Sequence, residues 1–519
     1  MERPAVSLNK ATKRYSFGVI LSRVSGMIRD VVLAYFFGTT AQIATFMIAY
    51  RFANLLRRIL AETPLSSSFI PSFEALAAKD EKAALLFFRD LLATLAVLVT
   101  ACIGAAMLCI YPCRFWMSPA NQQIAQLTLY MMPSILFLAL YGLVAAFLQM
   151  QKVFFLSSLA PIAFNGVWIA AACGMGWTGQ LSCKLLSVSI VVGFAAQLLF
   201  LLPKLAQAIQ GRLTRAEFLS PSLFDSSLKP LVKPFFLTAA GVSTTQVNAA
   251  LDSLFAKAQD PSGPAYLWYA IRIEQVPLAL FGIAASTALL PLMTKYLKQN
   301  LQDKAQESLQ HSLCKVVALL MFSTGGLVCC GVFGLNVLFG RGEFGYSSLY
   351  STYLCLLAYA AGLVFQGLSL VYTSASYALE EFKKPMRISL ASIALHLGCN
   401  TLFVQGLQLG PISVALSTSI AACFQMFCLA WYVRSCKQIR LCSIPWRRYL
   451  MISSMSAAAA LCSNYGLVQQ IFIQHQLLSF KLALQGCSVG AAVYIGLFFL
   501  LEKLLHLQEV RGFFRQRLR

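Results

Sequence analysis

Residues 15–37 read YSFGVILSRVSGMIRDVVLAYFF, an apolar run that holds Arg23 and Arg29. A helix needs about 20 such residues to cross a hydrocarbon core, so the run predicts a membrane span. Its arginines say that the span is not inert, because a charge at a bilayer centre costs roughly 2.5–3.5 kcal/mol on the gentlest scale. Arg57 lies in the second run of this kind and Arg272 in a later one. Several charges of one sign point to a water-filled cavity that holds an anion. Six residues of helix turn through about 600°, so Arg23 and Arg29 diverge by about 120° and border a wide cavity rather than one stripe. Arg29 stands roughly 20 Å from the cytoplasmic end of the helix, too deep for easy snorkelling. Asp30 beside it neutralises part of the charge, and the competing reading is a structural Arg–Asp pair between helices.

The rest of the chain has the composition this run suggests. Its 519 residues are 58% hydrophobic and 12% charged, and the mean hydropathy is +0.70. Soluble chains carry about 25% charged residues, so this is an all-α polytopic membrane protein. The net charge of +22 comes from basic residues that flank apolar runs. That placement orients the chain in a membrane and excludes nucleic acid as a partner, since no soluble basic module is present. The sixteen cysteines are scattered through apolar runs and read as small hydrophobes, with neither a zinc nor a disulfide framework. The basic segment 1–14 precedes a long apolar run without a small-residue cleavage pattern, which predicts a first span rather than a cleaved signal.

Fourteen spans are expected, near 15–37, 41–62, 88–112, 124–150, 153–177, 183–209, 229–257, 265–295, 311–339, 347–378, 386–407, 410–433, 447–472 and 480–505. Connection charges follow this count. One set of connections holds Lys79, Lys82 and Arg89, then Lys152, then Arg212, Arg215, Lys229 and Lys233, then Lys295, Lys298 and Lys304, then Lys383, Lys384 and Arg387, then Arg434 to Arg448. The opposite set is sparse: Arg114, Lys184, Lys257, Arg341 and Lys481. The alternation puts both termini in the cytoplasm. The expected parts are an N-lobe over 1–220, a C-lobe over 221–440 and a last pair of spans with a tail over 441–519. Repeats of six spans fit transporter practice. No Walker A sequence occurs, so ATP bound to this chain does not power transport.

Other candidates carry alternatives beside them. Arg57 and Arg58 sit near a helix end, where snorkelling competes with function; Arg51 lies deeper. Arg272 follows Trp268 and Tyr269 and precedes Glu274 and Pro277, which predicts a kinked span. Arginine suits phosphate through its bidentate fork. Asp252, with Asn400 and Thr418, offers oxygen ligands to a hard cation, or simply bonds Ser243 or Asn248 on its own helix. His396, alone on an apolar helix, reads as a satisfied polar contact. Gly325 and Gly326 read as helix packing.

At Ser22-Arg23-Val24-Ser25-Gly26 with Arg29-Asp30, Phe37-Gly38, Asn54-Leu55-Leu56-Arg57-Arg58, Glu62 and Phe69-Ile70-Pro71, the chain resembles the MurJ (MviN) family of lipid II flippases in the MOP exporter superfamily. Further matches are Gly241-Val242-Ser243 with Gln246, residues 272–277, Leu289-Leu290-Pro291, residues 338–344 and residues 377–385. The resemblance implies fourteen transmembrane helices in two six-helix lobes (MOP/MATE-like) around a cationic cavity, plus two C-terminal helices that take a lipid tail. Its implied activity is transfer of lipid II, an undecaprenyl diphosphate glycolipid, from the inner to the outer leaflet of the bacterial inner membrane by alternating access. No enzyme activity is implied. Arg23, Arg29, Arg57 and Arg272, with Ser22, fall on the family's substrate-binding positions. Asp252, Asn400, Val414 (through its carbonyl) and Thr418 fall where some members resemble a sodium site, which implies Na+ coupling. Implied partners are lipid II, membrane lipids and cell-wall synthesis and division proteins.

The chain departs from the pattern at Ala44, where members often carry Asp, and at Ala53, where Pro is usual. Members with the sodium site have Asn and Asp at the positions of His396 and Asn400, so the case for sodium is weakened here while the arginines are kept. Rival readings are an exporter of another polyprenyl-linked glycan, a drug-cation exporter, a polyprenyl-diphosphate enzyme and a cell-wall assembly scaffold. The second needs membrane carboxylates and the third clustered metal ligands, and this chain is poor in both.

Overall fold

The computed structural model describes the backbone of residues 8–60, 63–435 and 445–505, and the side chains of these except 8–16, 56–60, 63–68 and 236–246. Among the described residues every regular element is a helix. The chain divides into two compact units, Met1–Leu251 and Asp252–Arg519.

In the first unit the helices are α1 (Leu8–Phe37), α2 (Ala41–Leu60), α3 (Thr63–Ala77), α4 (Glu81–Cys113), α5 (Pro119–Met131), α6 (Ser134–Met150), α7 (Phe154–Thr178), α8 (Cys183–Leu199), α9 (Leu202–Ile209) and α10 (Arg215–Leu219). Its core includes an aromatic cluster: Phe69 and Phe73 of α3, Phe87 and Phe88 of α4 and Phe147 of α6 pack with centroids 4.4–6.3 Å apart. Burying rings of this size supplies much of a core's stabilisation. Helix α11 (Lys229–Gln259) contains the division between the units.

The second unit contains α12 (Gly263–Pro277), α13 (Ala284–Lys298), α14 (Gln302–Phe339), α15 (Tyr346–Ala378), α16 (Lys383–Thr401), α17 (Ile412–Ser435), α18 (Trp446–Ser463), α19 (Tyr465–Phe472) and α20 (Phe480–Leu504). Between α12 and α13 the backbone winds as a π-helix over Leu278–Ile283, directly after Pro277. The missing proline N–H breaks the ladder there, so a π-helical stretch stands where the sequence predicts a kink. Helices α14, α18 and α20 meet at a polar seam. Ser453 donates to the Met321 carbonyl (2.8 Å) and Tyr494 to that of Phe322 (2.6 Å), and the two hydroxyls lie 3.2 Å apart. Gly325 makes room for both: a Cβ on it would stand 2.2 Å from Ser453 Oγ and 2.4 Å from Tyr494 Oη.

Each of the fourteen expected segments is helical. Among the described residues nine helices are long and apolar enough to cross a membrane, or ten if α5 and α6, bent by 43° at their junction, count as one broken span. The others carry charge or polar side chains: α1 has Arg23, Arg29 and Asp30, α2 has Arg51, Arg57 and Arg58, α11 is rich in Ser, Thr and Asn, and α18 opens on Arg447 and Arg448. The chain is a multi-pass membrane protein.

The connection before α11 is pinned to α4, and this changes the reading of Arg89. Arg89 is no loop charge but a buried residue of α4, paired with buried Asp90 at 2.6 Å. It donates to the Glu217 carbonyl, while Asp90 accepts from the Ser222 N–H at 2.8 Å. Thr214 and Glu217 form a reciprocal cap on α10. Lys82, 2.6 Å away, and the Thr214 cap hold the Glu217 carboxyl down to about 2.

Candidate functional site

The first unit places Arg29 at the seam between α1 and α7. Small residues set that seam: a Cβ on Gly18 would stand 1.9 Å from Ser158 Oγ, so only glycine lets the helices come this close. Arg29 is 6% exposed. Its Nε and Nη2 donate to Asp30 Oδ1 at 3.1 and 2.8 Å, and its Nη1 donates to Asn165 Oδ1 at 3.1 Å. The guanidinium lies over the Trp168 ring, 4.4 Å from the centroid. Asn165 Nδ2 in turn donates to Ser25 Oγ (2.8 Å), and Ser25 Oγ donates to the Ser22 carbonyl (2.7 Å). A charge this deep needs such a shell, since an unpaired buried guanidinium would be far costlier than one in water.

The remaining arginines sit differently. Arg23 is exposed on α1 and Ser22 beside it is half-buried. Arg51 of α2 is half-buried and donates to the Ala249 carbonyl at 2.9 Å. Arg57 belongs to α2, but its side chain, like that of Arg58, lies outside the described residues. In the second unit Arg272 of α12 is half-buried, with its guanidinium 4.6 Å from the Trp268 ring centroid. Glu274 on the same helix is buried and hydrogen-bonds the Gln366 side chain. Arg29 and Arg272 therefore share one device, a guanidinium laid on a tryptophan face, which adds a cation–π attraction of about 0.5–2 kcal/mol.

Also in the second unit, Asp252, Asn400, Val414 and Thr418 come together from α11, α16 and α17, with His396 among them. Asn400 Nδ2 donates to Asp252 Oδ1 at 3.1 Å. His396 Nε2 lies 3.4 Å from Asp252 Oδ1, 3.3 Å from Asn400 Nδ2 and 3.4 Å from Thr418 Oγ1. Thr418 donates to the Val414 carbonyl at 3.0 Å. Asp252, His396 and Asn400 are all buried. Asp252 thus reaches α16; of the same-helix partners that the sequence offered, the Ser243 side chain lies outside the described residues.

Sequence reasoning passed over Trp168 and the buried Arg89–Asp90 pair. The signal for Trp168 was a tryptophan three residues after Asn165 in a span, which puts both side chains on one helix face. Among the described residues no group of three or more His, Cys, Asp or Glu side chains is arranged to hold a metal.

The profile of the family described as "Lipid II flippase MurJ" matches residues 33–487. Among curated proteins, the chain is 28% identical over 440 residues to a "Probable lipid II flippase MurJ" of Chlamydia muridarum, covering 83% of this chain and 79% of that protein. It is 27% identical over 512 residues to the protein so named in Rickettsia prowazekii, covering 94% and 96%. Among solved structures, "Lipid II flippase MurJ, inward closed conformation" superposes with a TM-score of 0.74 at 20% identity, over 95% of this chain and 99% of that one. An inward-facing multidrug resistance MATE transporter of the MOP superfamily follows at 0.64 and 14% identity, over 81% and 97%. Both likenesses establish a MurJ- and MATE-like fold. With a profile match across most of its length, the chain belongs to the MurJ lipid II flippase family.

Proposed function

We propose that this protein moves lipid II from the inner to the outer leaflet of the bacterial cytoplasmic membrane by alternating access. The family match over residues 33–487 carries this reading. Arg23, Arg29, Arg57 and Arg272, with Ser22, engage the diphosphate, and the arginine fork suits that group. The isoprenoid tail runs along α18 and α20, whose outward positions Leu450, Met451, Met455, Leu484 and Leu500 are exposed and apolar. Both termini are cytoplasmic, the functional parts divide as 1–220, 221–440 and 441–519, and cell-wall synthesis and division proteins are the neighbours served. Membrane potential returns the empty cationic site inward, at about 2.3 kcal/mol per charge per 100 mV.

The test is a leaflet-exposure measurement of lipid II in cells that depend on this chain. Loss of outer-leaflet lipid II on inactivation is expected. Undiminished exposure would reject the assignment and leave the export of another polyprenyl-linked glycan, or a scaffold role, in its place.

A further inference from the structure

The sodium site that the family resemblance implies sets a question that the Asp252 cluster answers. A hard cation takes oxygen ligands, and an imidazole nitrogen is suited instead to transition metals. Here the centre of the cluster is a ring nitrogen. His396 Nε2 stands within 3.3–3.4 Å of Asp252 Oδ1, Asn400 Nδ2 and Thr418 Oγ1, and so holds the position that an ion shared by those side chains would need.

Two further features disagree with a sodium ion. Asn400 turns its amide nitrogen, not its oxygen, toward the carboxylate, at 3.1 Å. A donor aimed at Asp252 serves the carboxylate as a cation would and repels a real one. The Asn400 oxygen, by contrast, is buried with no hydrogen-bond partner among the described residues. The Val414 carbonyl is engaged as well: it accepts from the Thr418 hydroxyl at 3.0 Å and hydrogen-bonds the imidazole. Three of the four candidate ligands are thus occupied by partners from the chain itself. An entering ion would have to push out a buried ring and turn an amide. The ring competes as a tethered group, with no translational freedom left to lose on binding.

We infer that in this chain the His396 imidazole replaces the cation, so that α11, α16 and α17 are joined by a fixed hydrogen-bonded cluster that excludes sodium. Transport by this protein then draws on no sodium gradient through this site. The residue types explain the difference: one carboxylate and one imidazole stand here, and the second carboxylate of the sodium-site members is an amide.

The experiment uses the full-length protein purified in detergent. Its thermal unfolding midpoint is followed as NaCl replaces KCl at constant ionic strength, with calorimetric titration of NaCl alongside. A ligand bound only by the folded state raises the midpoint in proportion to the logarithm of its concentration above Kd. The expected result is superimposable curves in the two salts and no heat of binding. A midpoint that rises with sodium specifically, and stops rising in Asp252→Asn, would overturn the inference. In a second arm, His396→Asn with Asn400→Asp removes the ring and restores a second carboxylate. That variant should acquire a sodium-specific rise; a folded variant that remains indifferent to sodium also overturns the role given to the imidazole. Should the variant not fold, the wild-type titration decides alone.

Discussion

Replacing Asp30 by leucine isolates the buried charge of Arg29. The substitution removes two hydrogen bonds, at 3.1 and 2.8 Å, from a guanidinium that is 6% exposed. Breaking a buried ion pair on one side costs about 3–5 kcal/mol. Arg29 keeps Asn165 at 3.1 Å and the Trp168 face at 4.4 Å, so the loss belongs at the lower end, about 3 kcal/mol. Adding Arg29→Met removes the stranded charge. Apolar replacement of a whole buried pair is neutral or stabilising by about 1–4 kcal/mol, against about 1–3 kcal/mol for the Asn165 oxygen left alone, so the double variant returns close to wild type. Equilibrium unfolding in detergent measures both. A double variant as unstable as Asp30→Leu would refute the argument, because the instability would then not come from an unpaired arginine. The same pair of proteins separates structure from function. If Arg29 engages the diphosphate, the stable double variant fails to support growth of cells depleted of their own flippase. Full growth would make Arg29 a structural residue only.

Arg272→Ala should abolish that complementation while membrane protein levels, read by immunoblot, stay at wild type; growth at the wild-type rate would remove Arg272 from the substrate site. Gly325→Ala forces a Cβ to within 2.2 Å of Ser453 Oγ and should cost about 1–3 kcal/mol, read as a lower thermal midpoint, with Ser453→Gly in the same chain recovering part of it. Glu217 titrates in the fold at about 2, below its ordinary value of 4.5, so its support of the α10 connection is complete above pH 4.5 and is lost as pH falls toward 2. Proteolytic nicking between Gln210 and Leu228 should therefore rise across that window in the wild type, and lie flat at the higher level in Glu217→Gln.

The helical segments were legible because length and apolarity determine them directly: every expected segment is helical among the described residues, nine or ten of them long and apolar enough to span, and Pro277 marked an irregular turn. What charges touch was less legible, since a partner 136 residues away leaves no local trace. Asn165 is such a partner for Arg29, and Asn400, 148 residues from Asp252, is another. Arg89 was misread for the same reason. Position alone put it with the orienting charges, whereas the connection that folds back over α4 buries it. The short helix α3 escaped notice because its 15 residues fall short of the about 20 that a span needs and it carries Pro71. Arg57, the fourth matched arginine, lies outside the described side chains.

The α14–α18–α20 seam has a consequence for biogenesis. Tyr494 closes a hydrogen bond on the Phe322 carbonyl 172 residues before it. At about 5–20 residues per second, the ribosome takes roughly 10–30 s to add the stretch between them. Late in that interval α14 is complete while Gly325 still lacks Tyr494, and until Ser453 has followed it lacks both hydroxyls. A gap sized for two hydroxyls then faces lipid or whatever insertion machinery shields it. The fold is finished from its C-terminal end, and a nascent chain stalled before Tyr494 is the form in which quality-control proteases would find α14 unsealed.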